Sequence, residues 1–130
     1  MSQGPNYHMK QGTNCHLKVL FEGLDTNYID SVVFLFSQTK DGEPLKTATY
    51  TAGAEDPEVE LLDGVFVVPF TRAETYLFKR GTDFYMDTRL EMSDSYTADN
   101  HYPGDNPQTP VVPLRMDLTL FDTVDEEAEA

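Results

Sequence analysis

Between residues 59 and 68 the sequence reads Val-Glu-Leu-Leu-Asp-Gly-Val-Phe-Val-Val, two apolar runs flanking Asp63-Gly64. A two-residue hairpin loop of type I′ needs positive φ at both central positions, which Asp and Gly tolerate. Its twist also matches that of the strands it joins. The segment therefore predicts a tight β-hairpin and directs the chain towards antiparallel sheet.

The rest of the chain repeats the β signal. Cys15, Leu17, Val19 and Phe21 alternate with His16, Lys18, Leu20 and Glu22, the period of a half-buried strand. Residues 29–38 hold the run Val32, Val33, Phe34, Leu35 and Phe36, which suits a central strand covered on both faces. A turn at Asp41-Gly42 leads to a return strand over 45–51. Phe84, Met86, Thr88, Leu90 and Met92 share one face of the next strand, with Tyr85, Asp87, Arg89 and Glu91 on the other. The last strand alternates Val112, Leu114, Met116, Leu118 and Leu120 with outward residues, and Pro113, lacking an N–H, places its start at an edge or bulge. One helix is expected, over 72–79, because Thr71 and Glu74 have capping-box spacing and Gly81 follows. Its Tyr76, Leu77 and Phe78 are expected to plug one end of the core.

Six to seven short strands and one short helix predict an all-β fold: an antiparallel β-sandwich, immunoglobulin-like in outline. A small, partly open barrel is the alternative. Residues 1–14, with Gly4, Pro5 and Gly12, read as a flexible N-terminal arm, and 15–121 as the sandwich domain. Residues 122–130 carry five acidic side chains and read as a disordered tail. The polar stretch 93–109 is a loop of the length that is usually functional or disordered.

Charge then excludes function classes. The chain has 130 residues, 23 acidic and 9 basic, for a net charge of −14. Without the tail, 18 acidic residues still face 9 basic ones. That balance opposes a sequence-independent grip on phosphates and attachment to an anionic membrane surface. The apolar runs are far shorter than a membrane span. The N-terminus has no apolar segment of signal-peptide type, so synthesis in the cytoplasm is expected. One cysteine, Cys15, leaves no intrachain disulfide.

Candidate chemistry is sparse. Asp94, Asp99, Asn100, His101, Asp105 and Asn106 gather in the long loop, and hard cations take about six to eight oxygen ligands. The EF-hand order is absent, and such residues are also the ordinary material of turns. Asp94, Asp99 and Asp105 are thus weak metal candidates beside a solvated loop, and no cofactor is expected. His8, His16 and His101 are too scattered for zinc. Cys15 and His16 point to opposite faces of their strand and make no nucleophile–base pair. Asp87 and Glu91 flank Arg89 on one strand face, the pattern of a salt-bridged surface rather than a glycosidase pair. Tyr85, Tyr96 and Tyr102 are the aromatic side chains expected on display, at an interface or, alternatively, on a carbohydrate-binding surface.

One order of features carries a resemblance. Gln11-Gly12-Thr13 leads into a strand, and a later strand ends in Ser37-Gln38 before a Lys-x-Asp-Gly-like turn. Thr71-Arg72-Ala73-Glu74-Thr75 follows, then Phe78, Gly81 and Met86-Asp87-Thr88-Arg89, before the final alternating strand. From about Lys10 to Phe121 this resembles small β-rich virion proteins of tailed bacteriophages and prophages of Gram-positive gut bacteria. It is also loosely similar to the N-terminal domain of upper baseplate proteins. The resemblance implies a non-enzymatic component of the virion: an accessory capsid, head–tail, or tail and baseplate protein. It also implies other virion proteins and further copies of the chain as partners. The arm would then pair as an added strand on a neighbour's open edge, with Gln11 and Thr13 at the interface.

Overall fold

In the computed structural model the described residues are 7–21, 25–93 and 111–117. They are mostly strand: β1 His8–Lys10, β2 Cys15–Val19, β3 Ile29–Ser37, β4 Pro44–Thr51, β5 Glu60–Leu62, β6 Val65–Phe70, β7 Thr82–Met92 and β8 Val112–Asp117. A four-residue helix, α1 Arg72–Thr75, joins β6 to β7. The strands form two sheets, ordered β1-β8-β7-β3-β4 and β2-β6-β5. Every pairing is antiparallel except β1 with β8, which run parallel. The larger sheet is therefore mixed, not antiparallel throughout.

The hairpin forms where the sequence places it. Asp63 and Gly64 have φ of 52° and 79°, both positive as a type I′ loop requires, and β5 pairs with β6 across them.

Alternation fixes the core. Val32, Phe34 and Phe36 of β3 point inward with Phe84, Met86 and Leu90 of β7 and Leu114 and Met116 of β8. Opposite them lie Leu17 and Val19 of β2 and Phe66, Val68 and Phe70 of β6. Aromatic rings bind the two layers. Phe36 meets Phe70 edge-on at 4.9 Å between centroids, and Phe34 lies 6.0 Å from Phe66. Such pairs contribute about 0.5–1.5 kcal/mol each beyond the area they bury.

Several expectations are corrected. β3 is central, but only its inner face is fully covered; Val33 and Leu35 on the outer face are half-buried, among the polar neighbours Thr47, Thr49, Asp87 and Arg89. β8 lies inside its sheet, but its start is open as Pro113 requires: Pro113 pairs with Tyr85 of β7 alone, and pairing with β1 begins at Arg115 opposite His8. The helix stops at Thr75 rather than reaching 79. Its Thr71–Glu74 capping box forms, but Tyr76 and Leu77 donate to carbonyls three residues back, which tightens the chain into a turn. Of the three expected plug residues, Phe78 is buried against Phe84 at 4.5 Å, Tyr76 is half-buried and Leu77 is exposed.

The largest correction concerns the arm. Residues 7–14 belong to the fold, and residues 1–6 lie outside the described residues. Met9, between exposed His8 and Lys10, is buried against the core in register with Met116. Three residues of alternation are too few to register as a strand, and their partner lies about a hundred positions away. The tail at 122–130 and most of the loop at 93–109 also fall outside the described residues.

Candidate interaction surfaces

The motifs spread along the sequence converge at one end of the fold, around the connection from β6 to β7. Gln11 is the pivot. Its Nε2 donates to the carbonyls of Thr75 and Phe78 at 3.2 and 2.8 Å. Gly12 donates its N–H to Thr75 Oγ1 at 2.8 Å, and Asn14 Oδ1 accepts from the Arg72 N–H at 2.7 Å. Gly12 has φ of 86°, and a Cβ there would sit 2.9 Å from the Tyr76 hydroxyl. The positive φ favours glycine, and a Cβ would in addition have to push the Tyr76 hydroxyl aside. Gln38 holds the other side of the same connection. Its Nε2 donates to Thr82 Oγ1 and the Asp83 carbonyl, and its Oε1 accepts from the Lys79 N–H.

Thr71 and Glu74 complete the assembly. Their side chains cap each other's backbone N–H groups, and Glu74 Oε2 accepts from Lys46 Nζ at 2.8 Å. Lys46 lies on the edge strand β4 yet points inward, buried, with its Nζ 4.9 Å from the Phe70 ring. Burial pushes the Glu74 carboxyl up, but the Lys46 ammonium and the Thr71 amide and hydroxyl outweigh it and hold the group below its ordinary value. An inward lysine on an edge strand is one of the devices that discourage edge-to-edge pairing. Gln11 Oε1 and Arg72 Nε are buried without a hydrogen-bond partner among the described residues.

Each sequence candidate now has a place. Gln11, expected at an interface with another chain, is instead turned inward and spent on α1. Thr13 is half-buried, its hydroxyl donating to the Lys10 carbonyl at 2.7 Å. Tyr85 is half-buried on the outer face of β7, with Lys40 Nζ 5.9 Å from its ring centroid. Tyr96, Tyr102, Asp94, Asp99 and Asp105 lie outside the described residues. Cys15 is half-buried, and burial pushes its thiol up although a hydrogen bond with Thr13 pulls the other way. A raised value lowers the thiolate fraction on which nucleophilic chemistry depends. Among the described residues, no three His, Cys, Asp or Glu side chains stand together in a way that could hold a metal ion.

An outward ladder of polar contacts crosses β7, β8 and β1. Asp83 takes Arg115 at 3.3 Å, Arg115 reaches Asp117 at 3.9 Å, and Asp117 takes His8 Nδ1 at 3.1 Å. All four side chains are substantially solvated, so the ladder contributes at most about 1 kcal/mol per pair. The capping-box spacing pairs Thr71 with Glu74 in the sequence, but nothing there brings Gln11 and Gln38 to them, because glutamines carry no periodic signal.

No protein-family model, curated protein or solved structure matches the chain.

Proposed function

We propose that the chain is a non-enzymatic structural component of a tailed-phage particle, made in the bacterial cytoplasm and working in the virion by protein–protein contact. Accessory capsid, head–tail, and tail or baseplate positions all fit that role. The reading rests first on the order of sequence features. In the fold, one observation supports it: the residues carrying the resemblance serve to hold strands together. Gln11, Gly12, Gln38, Thr71 and Glu74 brace one connection rather than lining a reactive centre.

We also infer an immunoglobulin-like outline. The orders β8-β7-β3 and β2-β6-β5 correspond to the G-F-C and B-E-D strands of immunoglobulin domains, and this correspondence supports the assignment.

Particles induced from the source bacterium and banded on a density gradient test the function. Mass spectrometry should find the chain in the particle band at a fixed ratio to the major capsid protein. Recovery in the soluble fraction alone would overturn the reading, and reproducible hits on a glycan array would favour the alternative surface-binding module.

A further inference from the structure

The charges of this chain are segregated along it. Residues 1–21 hold no acidic side chain, although the chain has 23, while residues 47–71 hold no lysine or arginine. The fold places these stretches on opposite edges. β1 and β2, joined through residues 11–14, each end their sheet on one side; β4 and β5, joined through residues 52–59, end them on the other. His8, Lys10, His16 and Lys18 are exposed on the first edge. Glu55, Asp56, Glu58, Glu60 and Asp63 are exposed on the second. The opposing charges near each edge are engaged: Asp117 faces His8 and Arg115, and Lys46 points inward to Glu74.

Both edges are also partly capped. The Thr49 N–H of β4 donates to Glu58 Oε1 at 3.1 Å, and the His16 carbonyl of β2 accepts from the Tyr7 hydroxyl at 3.3 Å. Caps of this kind oppose the unregulated merging of sheets that bare edges invite. Contact between edges is left to side chains, and there the charges are complementary.

We propose that the chain associates head to tail with a second copy, the β1/β2 edge of one against the β4/β5 edge of the next. The contact is heterologous, so it propagates into a ring or a filament according to the rotation between copies. The net charge of −14 repels copies at long range, but the Debye length is about 8 Å at physiological salt. Repulsion between distant charges is screened there, while pairs meeting across the contact are screened much less. This goes beyond the phage assignment: self-association is measured on the purified chain and the assignment on particles, so either fails without the other.

Sedimentation velocity on the full chain provides the test. At about 0.15 M salt the weight-average mass should rise with concentration above the 14.7 kDa of one chain, and fall back to it near 1 M, where screening reaches about 3 Å. Lys10→Glu with Lys18→Glu should hold the protein at monomer mass, as should Glu55→Lys with Asp56→Lys and Glu60→Lys, which leaves three positive against two negative charges on the second edge. An equimolar mixture of the two variants should associate again, because each supplies the edge the other has reversed. Circular dichroism checks folding. Should Lys10→Glu release β1, His16→Glu with Lys18→Glu places the reversal on β2 alone. A monomeric wild type, reversed variants that associate like the wild type, or a mixture that stays monomeric would each overturn the proposal.

Discussion

The two edges shut the same core by different chemistry. At the β1/β2 edge β1 sends only Met9 into the core while β2 sends Leu17 and Val19, and the link between the two strands is fixed by polar contacts. Gln11, Gly12 and Asn14 hydrogen-bond to α1 across more than fifty residues of sequence. At the β4/β5 edge the fixing is mainly apolar. Val59 is fully buried, and Tyr50 stands edge-on to Phe66 at 5.0 Å. Hydrogen bonds need their partners at a set distance and angle, whereas apolar burial scales with area and is non-directional. The link between β1 and β2 thus depends on specific residues, the β4/β5 side more on hydrophobic bulk.

Substitutions that disturb one edge at a time probe the difference. Val59→Asp has the largest expected effect. It places a carboxylate in the core without a partner and should cost more than about 4 kcal/mol in urea unfolding. A loss near zero would mean that the β4/β5 edge opens freely. Met9→Ala should cost about 2–5 kcal/mol, the range for a buried large-to-small change. A free arm would show less than about 0.5 kcal/mol, as exposed positions do. Gln11→Ala should cost about 1–3 kcal/mol, since it leaves two carbonyls unsatisfied. For the same reasons, removal of residues 1–13 should destabilise the fold, not merely its assembly.

The Glu74 pair is smaller and depends on pH. Its carboxyl is held below the ordinary value in the folded chain, so its stabilisation is fully present above the unfolded value, near 4.3. It is lost as pH falls through the folded value. Glu74→Gln should therefore lower the urea midpoint at neutral pH, with the gap narrowing towards pH 3. A constant gap would assign the effect to packing. Glu58→Ala should be the mildest, at about 0.5–1.5 kcal/mol. Its clearer signature is aggregation, because it frees the Thr49 N–H on the longest edge strand.

Legibility in the sequence followed the same division. The hairpin at Asp63-Gly64, the inward faces of β2, β7 and β8 and the capping box at Thr71 were readable, because each is set by neighbours within a few residues. β1 was not readable: its single buried residue leaves no period, and its parallel partner is remote. Nor were the roles of Gln11 and Gln38, whose amides act only once the connection from β6 to β7 has been folded beside them. The helix is shorter than its capping box and Gly81 imply, because those signals do not show where three-residue turns replace four-residue ones. Charge segregation was present in the sequence, but acquired meaning only when the strand order put the two stretches on opposite edges.

Amide hydrogen exchange tests most directly that both edges are closed within a single chain. The reporters are the Arg115 N–H, which donates to the Tyr7 carbonyl at 3.0 Å, and the Thr49 N–H, which donates to Glu58. In dilute solution both amides should exchange more slowly than their unprotected sequence rates, and Glu58→Ala should release Thr49 while leaving Arg115 protected. An Arg115 amide that exchanges at its unprotected rate would mean that β1 is a free arm after all, and would contradict the closed β1/β2 edge.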